Sequence, residues 1–200
     1  ALRESKAGEI DIVTLGPLTN LALAIRLDPD AVKKAGRVVV MGGAGFGGGN
    51  VTAAAEFNIW QDGEAAKIVL EAGLENLMLV GWDACLGESM LTPDDIRRIR
   101  TGSSLGKFVI EINRVLMGLN RERFGEDCLD MAAAMAAALY PDCIKECGKY
   151  WCEADVSPGP GYGNVLIDRY GFSGKEPNVW ICSALRPDRY KEYIFRTLGV

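Results

Sequence analysis

Apolar and polar positions along the chain fall into two alternating rhythms. Short runs in which most residues are apolar or β-branched, "EIDIVTLG", "RVVVMGG" and "NLMLVGWDA", are separated by longer segments whose apolar residues recur every three or four positions. The first kind predicts buried strands of a parallel sheet, and the second predicts amphipathic helices packed on it. "PLTNLALAIRLDPDAVKKAG" opens with Pro17 and sets Leu18, Leu21, Ala22 and Ile25 on one helical face. "DGEAAKIVLEAG" has Asp62 as N-cap, a stripe of Ala65, Ala66, Val69 and Leu70, and Gly73 as its stop. Strand and helix alternating through short joins predict right-handed crossover units. The fold class is therefore α/β, Rossmann-like, a mostly parallel sheet with flanking helices.

The second half reads as more helical. "TPDDIRRIR" carries a threonine cap, Pro93 in the first turn and acidic residues at the positive helix end. "SSLGKFVIEINRVLMGLNRERFG" continues with helical spacing, and "DMAAAMAAALYPD" predicts an alanine-rich helix ending near Pro141. Two strands, "VLIDRYG" and "PNVWICSAL", and a last helix, "PDRYKEYIFRTLG", complete the chain. Cys143, Cys147 and Cys152, with three and then four residues between them, read as thiols on a helix. A zinc site is disfavoured, since there is no CxxC pair and no histidine. With no repeat and no low-complexity linker, residues 1–200 read as a single domain.

Composition narrows the functional classes. A net charge of −5 offers no broad attraction for a phosphate backbone or an anionic membrane, so neither nucleic acid nor membrane is expected as a partner. No apolar run is long enough to span a bilayer, and "ALRESKAGEI" lacks the apolar segment of a signal peptide, so a cytoplasmic location is expected. The cysteines then read as reduced thiols.

In an open α/β sheet, ligands bind beyond the carboxyl ends of the strands, which directs attention to the loops after Leu15, Met41 and Trp82. The second of these, "MGGAGFGGGNVTAAAEFNIWQDGEAA", holds six glycines between Met41 and Asn50. Gly43, Gly45 and Gly48 satisfy GxGxxG, which raises a dinucleotide-binding alternative. No helix opens at the third glycine, however, and the acidic residues near the expected spacing, Asp62 and Glu64, start a helix instead. Asn50, Glu56 and Asn58 offer another reading. Two amides and a carboxylate after a permissive backbone suit a ligand rich in hydroxyls, because carboxylates accept and amides both donate and accept.

"VTLGPLTNLALAIRLDP", "VVVMGGA" and "GNVTAAAEFNIWQDGEAAKIVLEAG", followed by a short strand ending in Asp83, resemble the inosine-uridine-preferring nucleoside hydrolase family in order and separation. The resemblance continues through "LDMAAAMAAALYPD" to "GNVLIDRYG" and "KEPNVWI". It implies hydrolysis of the N-glycosidic bond of ribonucleosides to ribose and free base, assisted by a calcium ion (Ca2+), with the ribonucleoside as partner and a homo-oligomer as the usual assembly. By the same resemblance Asp130 is a metal-binding aspartate and Leu15 offers its main-chain carbonyl to the metal. Asn50, Glu56 and Asn58 grip the ribose hydroxyls, and Met41 lines the pocket.

Two departures accompany it. The family's N-terminal aspartate motif, DxDPGxDD, has no counterpart here. The chain is therefore expected to be a nucleoside hydrolase fold lacking its N-terminal strands, either a piece of a longer enzyme or a degenerate relative, with exposed sheet edges and apolar faces. Where many members carry a histidine as leaving-group acid, this sequence has Leu129, and Cys128 is the nearby candidate acid. Trp82 and Cys85 are candidates to border the base. "SPGPGYGNVLIDRYG" reads as a mobile loop offering Tyr162 or Tyr170 to stack on it. A non-catalytic ribose-binding relative and a nucleotide-cofactor protein are the alternative functions.

Overall fold

The computed structural model describes all residues, 1–200. In chain order the elements are β1 (Ile12–Thr14), α1 (Thr19–Leu27), α2 (Pro29–Lys33), β2 (Val38–Met41), α3 (Phe57–Gln61), α4 (Gly63–Leu70) and β3 (Leu77–Val80). There follow α5 (Pro93–Gly102), α6 (Ser104–Ile112), α7 (Arg114–Phe124), α8 (Ala134–Leu139), β4 (Ile144–Ala154), β5 (Val165–Asp168), β6 (Val179–Leu185) and α9 (Pro187–Leu198). The strands form one six-stranded sheet in the order β1-β2-β3-β6-β4-β5. β1, β2, β3 and β6 run parallel, whereas β4 pairs antiparallel with both β6 and β5.

Alternation along the strands divides the core into two layers. Val38, Val40, Leu77, Leu79, Val179 and Ile181 face α1 and α4, whose predicted stripes are the buried ones. Val39, Met41, Val80 and Cys182 face the other way, toward the alanines of α8 and Tyr190 of α9. The small side chains of α8 let that short helix lie close to the sheet. A third cluster around Ile96, Ile99, Ile110 and Leu129 binds α5–α7 to the end of α9. On the α8 side, a cavity of about 480 Å³ touches Val39, Met78 and Trp180, so this apolar face is incompletely covered.

Several helices are shorter than their periodicity suggests. The first breaks at Asp28, whose carboxylate accepts from Ala31 N and caps α2. The long helix after Ser103 divides at Asn113, whose Nδ2 turns back to the Val109 carbonyl. One assignment is overturned: Cys143, Cys147 and Cys152 are not on a helix. Cys143 ends a 3₁₀ turn, and Cys147 and Cys152 lie on β4, the longest strand, where pairing with β6 and β5 satisfies a backbone whose own sequence alternates weakly.

Candidate functional site

Parallel register aligns the strand ends. Thr14 lies beside Val40, Val40 beside Leu79, and Leu79 beside Ile181. Leu15, the segment after Met41, and Trp82 therefore leave the sheet along one rim, with β1 and β3 about 10 Å apart across two strand spacings. All three loops singled out in the sequence meet at this rim.

The glycine segment is pinned at the rim. Gly43 and Gly45 have φ of +84° and +65°, a region that L side chains rarely adopt. The first turns the chain out of β2; the second lets it pass against Asp83, where a Cβ at residue 45 would fall on the carboxylate. The Asp83 carboxylate accepts from Phe46 N at 2.9 Å and from Ala84 N at 2.9 Å. Burial raises its pKa, against the opposing pull of those two donors. Beyond the glycines, the Ala55 carbonyl gathers the N–H groups of Asn50, Val51 and Thr52.

Glu56 is 2% exposed and has no basic partner. As N-cap of α3, its Oε1 accepts from Asn58 N at 2.9 Å and its Oε2 from Ile59 N at 3.4 Å; Oε2 also accepts from Gly43 N at 3.0 Å. Desolvation raises its pKa, and the three backbone donors offset only part of the rise. Asn58 donates through Nδ2 to the Met41 carbonyl at 3.1 Å. Asn50 accepts through Oδ1 from Phe57 N at 2.8 Å. The Oδ1 of Asn58 and the Nδ2 of Asn50 make no hydrogen bond within the chain and are not among its buried unpaired atoms, so both are open to a ligand.

Asp130 joins the same rim from the far half of the chain. Its Oδ2 accepts from Trp82 Nε1 at 2.8 Å, and its Oδ1 accepts from Asn120 Nδ2 at 2.7 Å. Asn120, 1% exposed, also donates to the Cys128 carbonyl. Arg123 lies 5.3 Å over the Trp82 ring and donates to the Asn50 carbonyl, tying α7 to the glycine segment. Sequence reasoning missed Asn120, Arg123 and the role of Asp83. The available signals were a polar residue on the apolar stripe of "VLMGLNRERF" and an aspartate directly after a strand.

The remaining candidates are distributed differently. Leu15 is half exposed, and its carbonyl accepts no hydrogen bond. Thr14 Oγ1, beside it, is the one buried side-chain oxygen without a partner. The Cys128 thiol is buried, its pKa raised by desolvation and then by Glu126, Asp130 and Asp127. Cys85 is buried too, with its pKa pushed up to about 12 by burial. The expected mobile loop is instead a β4–β5 connection closed by the Asp155–Asn164 and Gly163–Asp155 backbone bonds. Tyr162 is not free to stack, because its hydroxyl donates to Glu64 and accepts from Gly63 N. Tyr170 is exposed and tilted against Phe172.

Two ligand classes can be tested against this geometry. For a dinucleotide, the N–H groups of Gly43 and Phe46 would have to face phosphate, but Glu56 and Asp83 occupy both, and no helix opens at Gly48. For the calcium ion that the resemblance implies, six to eight oxygens are needed. The Leu15 carbonyl and the Asp130 carboxylate are the donors here, and the chain holds no cluster of three or more acidic, cysteine or histidine ligands. The residues of this chain do not by themselves fit that ion.

A Rossmann-like α/β sheet with polar groups gathered beyond the carboxyl ends of parallel strands has the architecture of the open-sheet class, in which that rim is where ligands bind. The chain belongs to the inosine-uridine preferring nucleoside hydrolase family, whose model matches residues 1–192. It is 37% identical over 175 residues to pyrimidine-specific ribonucleoside hydrolase RihB of Escherichia coli O1:K1, covering 86% of this chain and 55% of the relative. The plant nucleoside hydrolase PpNRh1 superimposes with a TM-score of 0.89 at 29% identity, over 100% of this chain and 64% of that one. A purine-preferring ribonucleoside hydrolase from Gardnerella vaginalis shares the fold, with a TM-score of 0.84 at 24% identity over 99% of this chain and 62% of that one. The chain spans 71%, 63% and 55% of the relatives from Shigella boydii, Shigella dysenteriae and Escherichia coli.

Proposed function

We propose that this chain forms the ribose-recognising part of a ribonucleoside hydrolase that cleaves the N-glycosidic bond to give ribose and free base. The observation that carries the reading is the meeting, on the ends of adjacent strands, of the Asn58–Met41, Glu56–Gly43 and Trp82–Asp130 hydrogen bonds. Beside these bonds, the Oδ1 of Asn58 and the Nδ2 of Asn50 are left without a partner in the chain. An acceptor and a donor that the chain leaves unused suit the two hydroxyls of a ribose.

In this reading Glu56 acts mainly through the backbone it holds, and Asn50 and Asn58 touch the sugar. Met41 supports the floor through its carbonyl. Trp82 and Asn120 fix Asp130 in one rotamer, aimed by two donors, and the open carbonyl of Leu15 sits on the same rim. Water adds its oxygen to the anomeric carbon as the C–N bond breaks, the electron pair leaving with the base and a proton of the water reaching the base nitrogen through solvent, and positive charge develops on the ribose ring in between. Oriented oxygens around the ring stabilise that charge. The calcium ion of the family reading requires ligands additional to Leu15 and Asp130, so no step is assigned to it. The Cys128 thiol, its pKa raised, stays protonated at neutral pH and is a weak proton donor at best. A cytoplasmic setting suits six unpaired cysteines.

The test is release of reducing sugar from uridine, the natural first choice given the name of the RihB relatives, and from inosine. It is measured on the longest reading frame that contains this chain. Asp130→Ala is expected to remove activity by at least about a hundredfold, the loss of one electrostatic group at the reacting centre. Full activity in that variant would exclude Asp130 from the site.

A further inference from the structure

Helices α5 and α7 enclose a second site that shares no residue with the rim. Arg97 and Arg100 are one turn apart on α5. Arg114 and Arg121 are two turns apart on α7, with Gly118 between them. The two faces converge on a cavity of about 440 Å³ whose charged lining is these four guanidiniums and Asp127. The chain as a whole has 27 acidic and 22 basic residues, so this concentration of positive charge runs against its composition.

The arginines are incompletely neutralised. Arg97 pairs with Asp94 at 2.7 Å, outside the cavity lining, and Arg100 reaches Glu111 only at 3.9 Å. Arg114 has no carboxylate within 4.0 Å. Only Arg121 has a two-pronged partner, Asp127, at 2.7 and 2.8 Å. Asp127 shows how an oxyanion sits in this groove, and it leaves the facing arginines free. Guanidiniums, planar and always charged, match the oxygens of a phosphate two at a time. Lysine is absent from the lining.

We propose that the α5–α7 groove binds a phosphate-bearing anion, either inorganic phosphate or the phosphate monoester of a small molecule. The site stands independently of the nucleoside reading. Gly118 leaves the cavity open, since a Cβ there would meet nothing within 4 Å. The test is titration of the chain with inorganic phosphate, pyrophosphate and methyl phosphate, in chloride buffers of matched ionic strength, followed by amide chemical shifts and calorimetry.

Saturable shifts are expected at residues 93–100, 114–118, 121 and 127, with Asn50, Asn58 and Trp82 of the rim unmoved. A higher affinity for methyl phosphate than for phosphate identifies a monoester as the ligand, and the reverse identifies the free anion. Arg114→Gln should weaken binding about tenfold, the loss of one charge-assisted interaction. Gly118→Leu, which alters no charge and improves helix propensity, should abolish binding by filling the space. Shifts no larger than those produced by chloride, or an affinity unchanged in both variants, would overturn the proposal.

Discussion

Replacing Glu56 by alanine tests the central structural claim, that one buried carboxylate joins the glycine segment to α3. The substitution removes an N-cap, which costs about 1 kcal/mol. It also strands the Gly43 N–H, which is buried and has no other acceptor, at a further cost of about 1–3 kcal/mol. Together these give a loss of about 2–4 kcal/mol. One effect opposes them. Glu56 is buried without a cation, and its carboxyl has a raised pKa, so its ionised form carries a desolvation cost that alanine abolishes.

That opposing effect gives the prediction a sign in pH. A carboxyl whose folded pKa lies above its unfolded value binds more protons in the native state, so its contribution to stability falls as pH rises through the folded pKa. The wild type thus gains from Glu56 at acid pH and loses that gain toward neutral pH, whereas the alanine variant has no such dependence. Asp83 has a raised pKa of the same kind, but it is present in both proteins and cancels in the difference. Urea denaturation of both proteins at pH 5 and at pH 8 should show the variant less stable at each, with the larger deficit at pH 5. Equal stabilities, or a larger deficit at pH 8, would refute the assignment of Glu56 as a buried, cationless bridge.

What was legible in the sequence depended on how far apart the partners lie. The stripes of α1 and α4, the Asp62 cap and the Thr92 cap are local, and each forms where the sequence puts it. β4 was hidden because "IKECGKYWCEA" alternates only weakly. Its strand character comes from β6 and β5, and only the Cys143–Cys147 step happens to match a helical turn. At the site, Asn50, Glu56 and Asn58 stood out as polar residues in an apolar setting close to the glycines. Asn120 and Arg123 did not, because their partners are 10 and 73 residues away and a polar residue on an amphipathic helix has no local mark of its task. The hydroxyl-reading role assigned to Glu56 also overlooked its backbone bonds, since a capping carboxylate and a ligand-binding one have the same sequence.

Two further predictions separate packing from mere permissiveness. In the native protein at pH 8, one thiol per chain, exposed Cys147, should react with a chromogenic disulfide ahead of the rest, slowed by a pKa that partial desolvation raises, and six should react in denaturant. Burial pushes Cys85, Cys152 and Cys182 up to about 12 and Cys143 up to about 11; prompt reaction of three or more native thiols would contradict it. Gly45→Ala and Gly47→Ala form a matched pair in the glycine segment. At residue 45 the left-handed φ costs alanine about 1–2 kcal/mol, and the new methyl displaces the Asp83 carboxylate from Phe46 N, for about 1.5–3 kcal/mol more. At residue 47, φ is ordinary and a Cβ meets the Ala44 carbonyl and Asp83 Cβ at 3.6 Å, so the change should stay within about 0.5 kcal/mol. Equal effects of the two substitutions in urea denaturation would mean that the segment is only a permissive loop, not a strand end held against Asp83 by close approach.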